Sequence, residues 1–162
     1  MRSILLFITL FLIHNTANAC SFAPGYDEFV ISPLYKKKNH LLALPKASLE
    51  SIKRGYDDGN RGSCSDAGII KIKLENENPV RATGYKLKIV SGTFETNVIP
   101  DYEVMPSRYY PSGNSMSFIW LDGSYDNQES IDFVLQIIAV SPEGGESEPY
   151  NLKIYHAGGK SN

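Results

Sequence analysis

Alternation between apolar and polar residues constrains this chain more than any other feature. Between Gly68 and Glu75, Ile70, Ile72 and Leu74 stand against Lys71, Lys73 and Glu75. Between Gly84 and Val90, Tyr85, Leu87 and Ile89 stand against Lys86 and Lys88. Successive side chains of a strand point to opposite faces, so this period predicts strands with one buried and one wet face. No segment holds a helical period for more than two turns.

The rest of the chain follows the same rhythm. Ser48–Lys53 reads as a strand after Pro45, Thr93–Ile99 as another, and Ser115–Leu121 as a third, with Met116, Phe118 and Trp120 on one face. Ile131–Val140 is the strongest strand, and the turn Ser141-Pro142-Glu143-Gly144-Gly145 leads into a last one, Pro149–His156. Between them lie a polar loop (Gly55–Asp66), a loop rich in Pro and Tyr (Pro100–Asn114) and an acidic loop (Asp122–Ser130). About seven short strands with turns rich in Gly, Pro and Asp predict an all-β, antiparallel two-sheet sandwich over residues 45–156. Its inward residues are expected to be Ile70, Ile72, Leu74, Tyr85, Leu87, Ile89, Phe118, Trp120, Phe133, Leu135 and Ile137. The tail, 157–162, is expected to fray.

The first residues set the compartment. Arg2, the apolar run Ile4–Ile13 and Ala17-Asn18-Ala19 have the order of a cleavable secretory signal, residues 1–19, ending in a small-x-small site. The run falls short of the roughly 20 apolar residues that span a bilayer, and no other run approaches that length, so no transmembrane segment is expected. The chain carries 16 basic against 18 acidic side chains, and removing the signal takes away Arg2 and no acid, which leaves the balance slightly more negative still. That balance argues against nucleic acid as a partner. The expected location is outside the cytoplasm, periplasmic or secreted.

Both cysteines, Cys20 and Cys64, survive cleavage. An even count in an oxidising compartment reads as one disulfide, tying the new N-terminus to the loop before a strand. A closed loop of this length contributes about 4 kcal/mol in the chain-entropy model. A lipid anchor on Cys20 is the rival reading, since Cys20 directly follows the cleavage site. Against it, Ala17 and Asn18 stand where a bacterial acylation signal has Leu and a small residue, and acylation would leave Cys64 unpaired. Residues 20–44, with Pro24, Gly25, Pro33 and Lys36-Lys37-Lys38, read as an irregular leader in which Glu28–Ser32 could pair as a short edge strand.

Gly84-Tyr85-Lys86-Leu87-Lys88-Ile89 resembles the third strand of fibronectin type III domains. Phe133-Val134-Leu135-Gln136-Ile137-Ile138-Ala139-Val140 resembles their sixth, and Ser141 to Pro149 is similar to the turn into their seventh. Two positions depart from the family. Phe133 replaces the Tyr that usually opens the sixth strand and bonds back to the preceding corner. The second strand, Gly68–Glu75, has no Trp, and Trp120 stands ready to fill that space. The resemblance implies a β-sandwich of a kind that serves adhesion, receptor and accessory roles alike, so it does not name a function.

Few residues offer chemistry. The mature chain has two histidines, His40 and His156, and the nearest approach to a nucleophile elbow, Gly113-Asn114-Ser115-Met116-Ser117, lacks its second Gly and precedes a strand. The carboxylates Asp57, Asp58, Asp122, Asp126, Glu129 and Asp132 read as solvated turns. The loops Asp57–Asn60 and Asp122–Glu129 carry oxygen ligands suited to calcium, without the spacing of a calcium loop. No zinc cluster and no cofactor motif is present. Tyr102, Arg108, Tyr109 and Tyr110 gather in one loop, and those residue types supply recognition surfaces; the alternative is that the rings cap the core. The expected function is a non-catalytic interaction module with a protein or envelope component as partner. The alternatives are a small secreted hydrolase and a calcium-dependent binding protein.

Overall fold

A computed structural model describes residues 22–32, 42–60, 63–75, 82–95, 97–109, 113–123 and 128–159. The signal segment, Cys20, Lys36–Lys38, His40, Tyr110, Asp126 and the last three residues lie outside them. Among the described residues there are eight strands: β1 (Tyr26–Glu28), β2 (Ala47–Lys53), β3 (Ala67–Leu74), β4 (Gly84–Thr93), β5 (Val104–Pro106), β6 (Ser115–Leu121), β7 (Ile131–Val140) and β8 (Tyr150–His156). No helix among the described residues is long and apolar enough to cross a membrane.

The strands form two antiparallel sheets, a five-stranded one in the order β1-β5-β4-β7-β8 and a three-stranded one in the order β2-β3-β6. After β3 the chain crosses to the large sheet for β4 and β5. It then returns to pair β6 with β3 and crosses once more to pair β7 with β4. This Greek-key path makes a sandwich whose core lies between the inner faces of both sheets. Ile70, Ile72, Leu74, Tyr85, Leu87, Phe118, Trp120, Phe133, Leu135 and Ile137 are all buried there, as the alternation requires. Ile89 is only half-buried, because the β4–β7 register shifts between Ile89 and Ser91 and breaks the inward alternation. Trp120 does fill the space left on the second strand of the sandwich: its ring lies directly on Gly68 of β3, where any Cβ would sit 2.3 Å from it.

Three expectations change. Thr93–Ile99 is not a separate strand; β4 runs on to Thr93, and the chain then turns so that Phe94 enters the core. There its ring meets Trp120 edge-on and stacks on Phe133, at 5.1 Å in each case. The Pro- and Tyr-rich stretch is not wholly loop, since β5 lies within it, pairing with β1 on one side and with Tyr85 of β4 on the other. The leader is not irregular throughout. Gly25 N donates to Ser117 O of β6, Tyr26–Glu28 pair with β5, Phe29 lies against Gly84, and Ser32 N donates to Pro142 O in the β7–β8 turn. Residues 25–32 thus form a belt across one end of the sandwich. The partly buried Tyr26 packs against Phe118 at 5.5 Å, and Phe29 is buried. The tail's first residues are also held: Gly158 N donates to His156 Nδ1 and Gly159 N to Gln128 O.

Candidate functional site

Two places on the molecule collect unusual chemistry, one at each end of β4, about 30 Å apart by strand rise over its ten residues. The first is the turn after β5. Asp27 of β1 holds that turn from beneath. Its carboxylate accepts hydrogen bonds from Ser107 Oγ (3.2 Å) and Arg108 N (3.1 Å) and faces Arg108 Nε at 3.5 Å. Ser107 Oγ in turn accepts from Tyr109 N at 3.4 Å. The turn is therefore fixed while the Tyr109 ring it carries is 89 % exposed. Of the four residues expected to form a recognition loop, Arg108 and Tyr109 come together here. Tyr102 lies on the other side of β5, half-exposed, where its hydroxyl meets that of Tyr26. Burial, and secondarily the nearby Tyr102, push the Tyr26 phenol above its ordinary range. Tyr110 lies outside the described residues.

The second place escaped the sequence reading. Arg54 follows β2 and Asp122 follows β6. The pairings Lys53 with Ile69 and Ala67 with Leu121 set these two residues on either side of the start of β3. Their side chains are each 4 % exposed, so Asp122 is no solvated turn residue. Arg54 grips the carboxylate with two parallel bonds, Nε to Oδ2 at 2.7 Å and Nη2 to Oδ1 at 2.8 Å. Trp120 Nε1 donates to Oδ1 at 3.1 Å, and Gly55 N (2.7 Å) and Gln128 Nε2 (3.2 Å) donate to Oδ2. Burying two charges costs several kcal/mol each, and only bidentate geometry with further hydrogen bonds offsets that. Burial pushes the Asp122 carboxyl up, but the Arg54 hydrogen bonds, the Gly55 N–H, the Arg54 charge and the Trp120 N–H together outweigh it and hold Asp122 below the usual carboxylate range.

The remaining donors of Arg54 tie in more chain. Nη1 donates to Glu129 O at 2.9 Å and approaches His156 Nδ1 at 3.5 Å. That nitrogen already accepts from Gly158 N at 3.0 Å, so the imidazole proton sits on Nε2. Gly55 approaches Asp66 so closely that a Cβ would lie 2.2 Å from its carbonyl oxygen, and only Gly fits. Above the pair opens a polar cleft of about 470 Å³, lined by Thr93, Phe94, Glu95, Trp120, Gln128, Glu129, Ser130 and Ile131 as well as the pair itself. Among the described residues, Gln128 Oε1 is the buried side-chain polar atom that lacks a hydrogen-bond partner. The amide's orientation is set, because both neighbours of its nitrogen, Gly55 O and Asp122 Oδ2, are acceptors.

Other residues singled out in the sequence have local duties. Ser115 Oγ donates to Glu50 Oε2 at the opposite end of β6 from the Trp120–Asp122 cluster and from His156. Asp57 and Asp58 accept from Gly59 N and Asn60 N, each at 2.8 Å, which fixes their own loop. Asp132 pairs with Lys153. No group of three His, Cys, Asp or Glu among the described residues is arranged to hold a metal ion. Cys64 is half-buried and disulfide-bonded; Cys20, the chain's other cysteine, lies outside the described residues. Compared with family models, curated proteins and solved structures, the chain matches none.

Proposed function

We propose that this protein is a non-catalytic, exported interaction module of fibronectin type III-like build, which recognises a protein or envelope component through the turn after β5. The observation that carries the reading is the exposed Tyr109 ring on a turn locked by Asp27. Binding energy concentrates in a few aromatic and Arg side chains. A ring presented on a fixed backbone loses little conformational freedom on binding, which is how aromatic recognition loops gain affinity. Arg108 beside it adds a cation whose side chain is mostly exposed.

The build is supported by the strand order. Three strands, β2-β3-β6, face four, β5-β4-β7-β8, and the belt strand β1 is an addition at the edge. Export is supported by the order of residues 1–19, and in this reading Cys20 and Cys64 pair as a disulfide. The test uses the mature domain as bait in envelope extract, with Tyr109→Ala and Arg108→Ala beside it. Each variant should weaken capture of a partner held by the unaltered domain by about 1–2 kcal/mol, roughly five- to thirtyfold, with its melting temperature unchanged. Undiminished capture by both variants refutes the assignment.

A further inference from the structure

We propose that the outer face of the five-stranded sheet is a binding platform for a linear, uncharged oligosaccharide, bracketed by the rings of Tyr102 and Tyr155. The inference is independent of the turn after β5, since neither Arg108 nor Tyr109 lines the groove on this face.

Strand register sets out what the face presents. β7 runs down its middle, paired with β4 on one side and β8 on the other. Side chains directly across from one another form rows. Lys88, Gln136 and Asn151 make one, and Thr93, Asp132 and Tyr155 make another, four residues away along β7. Four residues of a strand rise about 13 Å. On the β4 side of the first row, Tyr102 joins Lys88, Gln136 and Ile138 in lining a groove of about 390 Å³. An exposed ring thus stands at each end of a polar floor. The Tyr102 ring is held at its tip, where its hydroxyl meets that of Tyr26, so it loses little freedom when a ligand covers it.

The charges on this face largely cancel. Lys86 pairs with Glu146 at 2.6 Å and faces Glu103 at 3.7 Å, and Lys153 pairs with Asp132. Lys88 and Asp101 have no ion pair among the described residues, but they are one of each sign in the same groove. Neither a polyanion nor a polycation finds an excess of opposite charge here. The groups left without a partner are amides. Gln136 and Asn151 stand side by side, and neither side chain has a hydrogen bond among the described residues. Each amide both donates and accepts, as does a sugar hydroxyl. The backbone of β7 is paired on both sides, so a peptide strand laid on this face finds no free N–H or C=O. Val134 and Ile138, half-buried between the polar side chains, and the two rings offer apolar surface to the C–H faces of a pyranose, whose hydroxyls lie around its rim.

The purified mature protein, isotope-labelled, is titrated with cellotetraose, maltotetraose and chitotetraose, three neutral linear chains that differ in linkage or substituent. Trigalacturonate is the anionic probe and a blocked Gly-Ser tetrapeptide the peptide probe. Saturable shifts of backbone amides in β4, β7 and β8, and of the Gln136 and Asn151 side-chain amides, are expected with at least one neutral chain. The chain that saturates assigns the linkage. Tyr102→Ala and Tyr155→Ala should each weaken binding about five- to thirtyfold, the range for an aromatic anchor. Gln136→Ala should weaken it about two- to tenfold, the range for one hydrogen bond. Lys73→Ala, exposed on the outer face of the other sheet, should leave affinity unchanged. Tyr102→Ala also removes the partner of the Tyr26 hydroxyl; if its melting temperature falls, the Tyr155 and Gln136 variants decide. The proposal is overturned if no neutral chain saturates the protein up to about 10 mM, where even millimolar affinity registers. It is equally overturned if the shifts fall off this face, or if trigalacturonate or the tetrapeptide binds these strands more tightly than every neutral chain. Undiminished binding by both Tyr155→Ala and Gln136→Ala overturns it as well.

Discussion

Replacing Asp122 by Asn keeps the shape of the buried cluster and removes one charge, so it isolates what that charge does. Arg54 would be left 4 % exposed with no counter-ion. The Asn nitrogen would also face two or more of the donors that now converge on Oδ1 and Oδ2. Removing one partner of a buried pair destabilises by about 3–5 kcal/mol. Out of a total of about 5–15 kcal/mol for a domain, that is a large share. Urea unfolding at neutral pH, followed by Trp120 emission, should show the midpoint falling with the slope unchanged. The pH dependence gives a second, sharper reading. Asp122 has a lowered carboxyl pKa in the folded protein, so its contribution is fully present above the unfolded value near 4 and is lost as pH falls through the folded value. The stability gap between the unaltered protein and Asp122→Asn should therefore be constant from about pH 7 to 5 and narrow below that, as both come to carry a neutral group. A gap under about 1 kcal/mol at pH 7, or one that does not narrow in acid, would show that the pair is solvated and the reasoning wrong.

Leu135→Ala, at a core position of β7, should cost about 2–5 kcal/mol in urea, whereas Lys88→Ala on the opposite face should stay within about ±0.5 kcal/mol; equal shifts would place β4 or β7 out of register. Phe29→Ala should destabilise the whole sandwich by about 3–5 kcal/mol in a single transition, because the belt is part of the cooperative unit. An early, separate transition with the main one unmoved would show the belt to be an appendage. Intact mass of the non-reduced mature protein should be two protons short of the reduced form, and a gain of acyl-chain mass on Cys20 would instead establish a lipid anchor.

The parts of the fold that declared themselves in the sequence are those where one strand face meets the core and the other meets water. β3, β7 and the first half of β4 are such strands, and nearly all their inward residues were legible from period 2 alone. Elements defined by partners far along the chain were not. β5 has three residues, one of them Pro106, too few for any period, and exists because β1 and β4 flank it. β1 has no alternation either, and β4's extension was split in two because its bulge resets the pattern that Phe94 then follows into the core. The turn after β5 was half legible, since composition marks Arg108 and Tyr109 but not the Asp27 beneath them. Asp122 alone reads as a solvated turn residue, because the Arg54 that buries it stands 68 positions away. One local signal for it exists in hindsight: both residues directly follow strands that flank β3, and Trp120, two positions before Asp122, supplies a donor that a solvated carboxylate would not need.

The belt has a consequence for how the molecule is made. Asp27 bonds to a serine 80 residues further along, and Ser32 waits for the turn between the last two strands. The first segment of the described chain therefore completes its contacts only after almost everything downstream is present. Such long-range closure is slow, and any shortened product that ends before β5 leaves the Tyr26 and Phe29 rings in water. The same contacts that finish the fold thus also take the apolar rings of its front end out of water.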